Sequence, residues 1–320
     1  MPAIITHDTF GQEVYGRLYE LIGGSRDEAE AFLLGNQGPD PLFYSVLDPR
    51  LTAAHRLGSI MHRYQPDALL IAFKQSIMRL PEHVRSVARA YVLGFMCHYV
   101  LDSSMHPLVY AQQYALCDAG VPGLTRADGN DVHALIESEL DELVLTVKRH
   151  ETIATFNPAR AILHARNDVL NVISAQYAIV AKSVYGIEIP IDTFRRSVKL
   201  FRFAQGVFYS PSGLKHNLLG RIETLVRPHS FYRAMSHRNR ELTVSQFDNH
   251  EHAVWYKPAT GEASTESFWD IFDRALRKAQ FSIPLFDAPL FNEYARGDLT
   301  GGLDFSGEPA RAEIVKVEEA

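Results

Sequence analysis

An almost unbroken apolar stretch runs from Ala90 to Leu101, includes His98 and is followed closely by Asp102 and His106. It is too short to cross a bilayer, which takes about 20 apolar residues, so it belongs to a protein core. Residues four apart on a helix share a face, which places His98 beside Asp102. Imidazoles and carboxylates are costly to bury without a partner. The stretch therefore predicts a buried helix whose polar side chains share a partner.

Helical periodicity dominates the rest of the chain as well. The predicted helices cover Phe10–Leu21, Asp27–Leu34, Leu51–Tyr64, Pro66–Leu80, 82–105, Val132–Arg149, 158–184, 190–208, 214–226 and 264–280. Pro107 is expected to end the helix of the apolar stretch. No internal repeat and no convincing run of strands is present. The sequence predicts an all-α fold, a compact multi-helix domain whose polar positions hold a metal cluster between helices.

Composition divides the chain into three predicted regions. Residues 1–225 are expected to form the main helical domain, and residues 226–296 a helical extension that packs on it. From residue 297 the chain becomes rich in Gly, Asp, Glu and Pro. Such a composition buries little apolar surface, which predicts a disordered tail over residues 297–320.

The net charge and the number of cysteines limit which binding partners and which cellular compartment the sequence predicts. The net charge of −6 argues against nucleic acid as the main partner, because such proteins usually carry a basic patch. The two cysteines, Cys97 and Cys117, are too few for a disulfide framework. The N-terminal sequence lacks the basic and apolar regions of a signal peptide. We therefore expect a cytoplasmic protein without a transmembrane segment, and the oligomeric state is open.

A second His/acid pair follows the first. His133 and Glu137 are four residues apart and lie beside the helix face of Leu140 and Val144. A carboxylate that faces a core needs a partner, and a metal ion held together with an imidazole supplies one. The alternative is a surface His/Glu pair on a helix rich in acidic residues.

The spacing along the first helix favours two ions over one. His106 lies about 12 Å along the helix from His98, too far to share one ion at a ligand distance of about 2 Å. The alternative is that both histidines are buried and hydrogen-bonded to Asp102, without a metal.

Further candidate residues lie upstream. His7-Asp8 begins the first helix, and Asp40 lies in a rigid Gly-Pro-Asp-Pro turn. His55 and His62 are seven residues apart and share a helix face. Taken singly, Asp40 could be an ordinary turn acid and either histidine a surface residue. The occurrence of all these histidines and acids in one chain is far less expected by chance than the occurrence of any one of them.

The order of these residues resembles the zinc-dependent phospholipase C family of bacteria and, more distantly, the single-strand-specific zinc nucleases. The specific parts are "GPDP", "HYVLD" followed by "HP", and "HALIE". The resemblance implies up to three zinc ions. One would be held by His62, His98 and Asp102, a second by His106, His133 and Glu137, and a third in part by His7, with Asp102 bridging it to the first. His62 is preferred over His55 as the ligand.

The resemblance also implies the activity. Asp40 would orient or deprotonate the attacking water, and a phosphodiester, possibly a phospholipid, would be cleaved to a phosphomonoester and an alcohol. Secreted members begin with a tryptophan that binds the third ion, whereas this chain begins Met1-Pro2, and Asp8 could substitute. Two alternatives stay open: a nuclease-like phosphodiesterase, and a non-catalytic helical protein stabilised by metal. Residues 42–44 could line the site or simply pack beneath the turn.

Overall fold

The computed structural model describes residues 3–120, 124–212 and 235–312. Its α-helices are α1 (Ile4–Ile22), α2 (Arg26–Gly35), α3 (Thr52–Arg63), α4 (Pro66–Met78), α5 (Arg85–Cys117), α6 (Gly129–Arg149), α7 (Pro158–Ala161), α8 (Asn167–Tyr185), α9 (Thr193–Phe208), α10 (Phe268–Leu285) and α11 (Phe291–Tyr294). The all-α prediction is confirmed for this part of the chain. The helix predicted at 214–226 lies outside the described residues.

Short elements complete the secondary structure. Asp40–Leu47, Pro49–Leu51, Glu82–Val84 and Arg126–Asp128 are 3-10 helices. The two strands, β1 (Trp255–Tyr256) and β2 (Ala263–Ser264), pair antiparallel with Trp255 opposite Ser264. The region predicted as one helix over 158–184 is divided between α7 and α8, because Ile162 and the following residues leave the helical conformation.

The described residues form two compact units. The larger unit lies within Gly11–Ser104, His164–Phe201 and Ala275–Ala320, and the smaller unit lies within Met1–Phe10, Met105–Leu163 and Arg202–Arg274. The predicted domain boundary at residue 225 lies outside the described residues and stays a prediction.

In the larger unit, α2 and α5 meet backbone to backbone. A Cβ atom added at Gly94 would lie 2.0 Å from the carbonyl oxygen of Phe32, and one added at Gly35 would lie 2.3 Å from that of Tyr91. A side chain at either position would therefore force the helices apart. This close approach places the turn that follows α2 directly beside the middle of α5, where His98 lies.

Helix α5 continues through Pro107 to Cys117. The prediction that Pro107 ends this helix is wrong. An interior proline loses one backbone hydrogen bond and costs about 3 kcal/mol. Leu108 and Val109, which follow it, are almost fully buried, and burying such side chains contributes about 1.5–3 kcal/mol each. Their packing offsets the cost of the proline.

The C-terminal part of the chain is ordered as far as residue 312. Ala295–Leu299 form a π-helical turn, Leu303 pairs with Pro309, and Arg311 forms a parallel bridge with Tyr64. The prediction of disorder over 297–320 is therefore wrong for 297–312, and residues 313–320 lie outside the described residues. The composition led to a wrong prediction because Leu299 and Phe305 are completely buried, although glycines and acidic residues surround them in the sequence.

In the smaller unit, the acidic residues of α6 are buried and bound rather than exposed. Asp141 accepts hydrogen bonds from the backbone N–H groups of Ile5 and Thr6 at 3.1 and 2.7 Å and from the Thr6 hydroxyl at 2.6 Å. His237 Nε2 lies 3.0 Å from the same carboxylate. Glu139 and Glu142 are bound by two arginines of the chain after residue 235, Arg238 and Arg240.

The Asp141 carboxylate thus accepts hydrogen bonds from backbone N–H groups in the first turn of α1, which have no partner within the helix. Replacing Asp141 with Ala should lower the free energy of unfolding by about 2–4 kcal/mol, since several buried donors lose their acceptor. The exposed Asp168, in the first turn of α8, is the control, and its replacement should change stability by less than about 0.5 kcal/mol. Thermal unfolding followed by circular dichroism measures both; equal losses would contradict the assignment.

Candidate metal centre

Two groups of histidines and carboxylates have the geometry of metal sites. Cluster 1, in the larger unit, is His62, His98 and Asp102 together with Asp40; cluster 2, in the smaller unit, is His106, His133 and Glu137. In each cluster, the predicted ligands of one ion come together with their ligand atoms within 4.8 Å of one another.

Cluster 1 joins three elements. His62 lies in the last turn of α3, His98 and Asp102 occupy one face of α5, and Asp40 begins the 3-10 helix after α2. His98 Nε2 is 3.2 Å from Asp102 Oδ2, and His62 Nε2 is 4.0 Å from the same oxygen. Four ligands at zinc distances of about 2 Å are separated by about 3.3 Å around a tetrahedral ion. The donor atoms of His62, His98 and Asp102 fit three positions of that arrangement after small shifts.

Asp40 belongs to the same cluster. Its Oδ1 atom lies 3.1 Å from His62 Nε2 and 3.8 Å from His98 Nε2. All four side chains are buried. The sequence suggested that Asp40 lies apart from the helical ligands, whereas the structure brings it within contact distance of two of them.

Backbone carbonyls fix the orientation of both imidazoles in cluster 1. His62 Nδ1 bonds the carbonyl oxygen of Gly58 at 2.8 Å, and His98 Nδ1 bonds that of Asn36 at 3.1 Å. A carbonyl only accepts, so each Nδ1 donates a proton, and in the neutral ring each Nε2 carries the lone pair. Metal-binding histidines typically have this second partner. The lone pairs of both Nε2 atoms are therefore available as ligands.

Two buried tyrosines bind the backbone of the turn that carries Asp40. The Tyr177 hydroxyl donates to the carbonyl oxygen of Gly38 at 3.0 Å, and the hydroxyls of Tyr91 and Tyr177 are 2.8 Å apart. Burial raises the pKa of both phenols well above the ordinary value, so both keep their protons and can donate. This role could not be predicted from the sequence, because the two tyrosines lie 86 positions apart.

Gly38 permits the close approach of that turn to His98. Its φ of +50° lies in the left-handed region, and a Cβ atom added there would lie 2.1 Å from Cδ2 of the His98 ring. The position therefore requires glycine both for its backbone conformation and for the space that the imidazole occupies.

Aromatic rings surround the imidazole of His62. The rings of Phe43 and Phe305 lie 5.1 and 5.0 Å from it, and Phe305 also lies 5.7 Å from His98. The backbone N–H of Phe305 donates to the carbonyl oxygen of His62 at 3.1 Å. The C-terminal segment, expected to be disordered, thus forms part of the wall of cluster 1.

Residues 42–44 mainly pack beneath the turn. Leu42 is completely buried, and the ring of Tyr44 stacks on Phe201 at a centroid distance of 4.1 Å. The ring of Phe43 contacts a cluster residue, His62. The packing alternative is therefore correct for Leu42 and Tyr44.

Cluster 2 pairs the two helices α5 and α6. Glu137 Oε1 lies 3.3 Å from His133 Nε2 and 3.5 Å from His106 Nε2. His133 Nδ1 lies 2.9 Å from the amide oxygen of Gln113, which orients this ring as the carbonyls orient those of cluster 1. The ring of Tyr110 lies 5.0 Å from His133 and 5.7 Å from His106.

The carboxyl of Glu137 is ionised and only partly satisfied. Burial alone would raise its pKa, but the charge of His133 and the hydrogen bonds of His106 and His133 hold it well below the usual value. Its second oxygen, Oε2, is buried and has no hydrogen-bond partner among the described residues. A buried carboxylate oxygen of this kind is costly without a cation. Cluster 2 therefore also fits a metal ion.

Three further residues were considered as ligands or as substitutes for a ligand. His7 is buried on α1 in the smaller unit, and its part in a third ion stays a prediction. Asp8 is bound by Arg149 at 2.6 Å, so the idea that it replaces a missing ligand is not supported. His55 bonds the carbonyl oxygen of Phe43 at 3.2 Å and lies outside cluster 1. The structure brings His62, rather than His55, to His98.

The cysteines do not contribute to either cluster. Burial raises the pKa of the Cys97 and Cys117 thiols, which keeps both protonated. The donor sets are thus imidazole nitrogens and carboxylate oxygens rather than the thiolate sets of many structural zinc sites.

A family comparison agrees with this donor chemistry. The family model described as zinc dependent phospholipase C matches residues 6–187, more than half of the chain. The chain belongs to the zinc-dependent phospholipase C family. Both clusters of this family member lie inside the matched range, whereas Phe305 lies beyond it. Searches of the curated proteins and of the solved structures found no significant match.

Membership supports a metal-dependent, phospholipase-like hydrolase. Within the described residues, none of the helices combines the length and the apolar content that a membrane span requires.

Gly38 provides a test of cluster 1 that leaves every ligand in place. Gly38→Ala should lower the zinc content of the purified protein by about one ion, because the added methyl group displaces His98. Gly186→Ala is the matched control: Gly186 also has a positive φ, +67°, but nothing lies within 4 Å of an added Cβ atom. Both substitutions should lower the free energy of unfolding by about 1–2 kcal/mol, because alanine is strained in the left-handed conformation. Equal metal content in the two variants would contradict the proposed packing.

Proposed function

We propose that this protein is a zinc-dependent phosphodiesterase of the phospholipase C type, which hydrolyses a phospholipid to diacylglycerol and a phosphorylated head group. The observation that carries the proposal is the convergence of oriented imidazole nitrogens and buried carboxylates in two clusters of a family member. A cytoplasmic location remains a prediction.

The ligands are assigned by cluster. His62, His98 and Asp102 would hold one zinc ion, and His106, His133 and Glu137 a second. Bound zinc supplies positive charge for the phosphate oxygens and lowers the pKa of water to about 7. His7 is proposed as a ligand of a third ion.

Asp40 is proposed as the general base. Its carboxylate lies at the edge of cluster 1, in a turn held by Tyr177 and by the tight fit of Gly38 against His98. A base must be fixed within hydrogen-bond reach of the proton that it accepts. Asp40 would take the proton of the attacking water and later return it to the leaving alkoxide of the lipid.

Two other functions need to be distinguished. A purely structural role for the metals is typical of closed, often thiolate-rich ligand sets, whereas these clusters combine imidazoles and carboxylates. A nuclease-like phosphodiesterase would use the same clusters, but the overall charge of −6 does not favour a polyanionic substrate. A substrate screen with phospholipids, single-stranded DNA and a chromogenic phosphodiester distinguishes the phospholipase from a nuclease-like enzyme and from a non-catalytic protein.

The assignment of Asp40 predicts a variant that keeps metal but loses activity. Asp40→Asn should lower the rate of phosphodiester hydrolysis by about 10²–10⁴-fold, the usual contribution of a general base. Zinc content and melting temperature should change little. Asp67→Asn, a partly exposed acid in the first turn of α4, is the control and should keep full activity. Normal turnover of Asp40→Asn would remove this residue from the mechanism, and loss of zinc would make it a ligand.

The metal assignment predicts at least two zinc ions per chain after gentle purification. Asp102→Asn should lose more metal than His62→Ala, because the resemblance makes Asp102 a ligand of two ions. Chelation should lower the melting temperature, since a ligand that binds only the folded state stabilises it. Elemental analysis and thermal unfolding of the same samples provide the measurements. Less than one ion in the wild-type protein, or full metal in both variants, would refute the ligand set.

A further inference from the structure

The end of helix α3, which carries His62, is bound by residues from far along the chain. Backbone carbonyls in the last turn of a helix have no N–H partner within that helix. The carbonyl oxygen of His62 accepts a hydrogen bond from the backbone N–H of Phe305 at 3.1 Å. That of Arg63 accepts one from the backbone N–H of Arg311 at 3.0 Å. Two successive carbonyls at the end of α3 are therefore satisfied by the C-terminal part of the chain.

The turn after α3 is held by the same part of the chain. Gln65 has a φ of +50°, in the left-handed region that residues other than glycine rarely adopt. Its backbone N–H donates to the carbonyl oxygen of Arg311 at 3.2 Å, and its side-chain amide donates to that of Ala312 at 2.6 Å. The Tyr185 hydroxyl donates to the carbonyl oxygen of Tyr64 at 3.0 Å. These hydrogen bonds fix the position of the chain directly after His62.

Residues 302–311, here called the C-terminal loop, are braced internally. The buried carboxylate of Asp304 accepts hydrogen bonds from the backbone N–H groups of Ser306 and Glu308 at 2.8 and 3.1 Å. The backbone N–H of Asp304 donates to the carbonyl oxygen of Glu308 at 2.7 Å. The loop therefore presents its remaining side chains from a closed, well-defined backbone.

The loop inserts one aromatic ring beside cluster 1. The ring of Phe305 is completely buried and lies 5.0 Å from the ring of His62 and 5.7 Å from that of His98. It also meets the ring of Tyr99 edge to face at 5.0 Å. The Tyr99 hydroxyl, whose pKa burial raises, donates to the carbonyl oxygen of Leu303 at 2.8 Å. Helix α5 thus anchors the loop next to the site, and all of these residues belong to the larger unit.

Of the two imidazoles in cluster 1, that of His62 depends more on such support. His98 lies in the interior of a 33-residue helix, whereas His62 is the last residue but one of α3. Helix ends fray more readily than helix interiors. A ligand at a helix end keeps its position only if contacts from elsewhere hold that end.

We propose that the C-terminal loop is a positioning element for cluster 1: it binds the end of α3, packs Phe305 on the imidazole of His62, and so holds this ligand ready for zinc. The inference rests on the proposed function in so far as cluster 1 holds an ion. Ordering a ligand before binding removes part of the cost of binding. Groups that orient a metal ligand typically contribute about 10–100-fold to metal affinity. The loop lies beyond residue 187, where the family match ends.

Zinc affinity measured separately at each cluster tests the proposal. In a His133→Ala background cluster 2 lacks a ligand, so competition with a chelator reports on cluster 1. A His98→Ala background reports on cluster 2 in the same way. Phe305→Leu should lower the zinc affinity about 10–100-fold in the first background and leave it unchanged in the second.

A second variant keeps the core filled and decides the question if Phe305→Leu does not fold. Tyr99→Phe removes only the hydroxyl that binds the carbonyl oxygen of Leu303. It should lower the zinc affinity of cluster 1 in the same direction as Phe305→Leu and by a smaller factor, because the loop loses an anchor but keeps its ring.

Each variant has a matched control in the larger unit. Phe286→Leu shortens another buried phenylalanine, whose ring packs on Phe291 at 4.9 Å. Tyr294→Phe removes a hydroxyl that lies 2.6 Å from that of Ser282. Both controls lose packing or a hydrogen bond of the same kind, and both should keep the zinc affinity of cluster 1.

Cobalt in place of zinc gives a readout that a general loss of stability does not change. The visible absorption of bound cobalt depends on the geometry of its ligands, so Phe305→Leu should alter the spectrum of the His133→Ala protein and Phe286→Leu should not. In the metal-free protein, the amide of Tyr64, which bonds the carbonyl oxygen of Ile60 at 2.9 Å, should exchange its hydrogen faster in Phe305→Leu.

The outcomes separate this inference from the proposed function. A loss of zinc affinity confined to cluster 1 supports the positioning role, even if the wild-type protein hydrolyses no phosphodiester. Equal losses at both clusters, or equal losses in Phe305→Leu and Phe286→Leu, would mean that the loop contributes only stability, and would overturn the inference. Unchanged zinc affinity in both loop variants would overturn it as well, whatever the rate of hydrolysis, as would a His133→Ala protein that binds no zinc.

Discussion

The need to satisfy polar groups buried on α5 governs the surroundings of cluster 1. His98 is completely buried, and an imidazole in such a place must use both ring nitrogens. One nitrogen is bound by the carbonyl oxygen of Asn36, which requires the end of α2 to lie against α5. That approach is possible only because Gly35 and Gly94 have no side chains. The contact between the helices and the orientation of the ligand are thus consequences of the same packing.

The Asp40 turn follows from this contact. Once α2 ends beside His98, the next residues must turn sharply past the ring, and Gly38 does so in a conformation that other residues rarely adopt. The buried Tyr91 and Tyr177 then hold the carbonyl oxygen of Gly38. A carboxylate positioned by a turn of this kind has little freedom to move when its neighbours change protonation. Such rigidity suits a group that has to meet a substrate in one geometry.

Local spacing predicted much of the fold and one His/acid pair in each cluster. His98 and Asp102, like His133 and Glu137, are four residues apart, and helical geometry alone places each pair on one face. The choice of His62, by contrast, came from the family resemblance, because His55 lies on the same face of α3. Only the tertiary structure distinguishes them, through the position of α5.

Sequence reasoning failed where distant residues decide the outcome. The continuation of α5 through Pro107 depends on the burial of the residues after it, and the burial of Asp141 depends on donors from α1 and on His237. The roles of Tyr91 and Tyr177 likewise arise from pairing across many positions of the chain. Such contacts leave no periodic pattern in the sequence. The prediction for the C-terminal segment was wrong for the same reason, since its composition conceals the ring of Phe305, which packs on both His62 and His98.

The position of that ring so late in the chain has a consequence for biosynthesis. Phe305 closes one wall of cluster 1 and donates its backbone N–H to the carbonyl oxygen of His62, yet it is translated long after His62 and His98. While the chain is still on the ribosome, His62 and His98 have been made but lack this cover. The environment of cluster 1 is therefore completed only once Phe305 has been made, and a chain that is terminated before this residue carries every predicted ligand without this wall of the site.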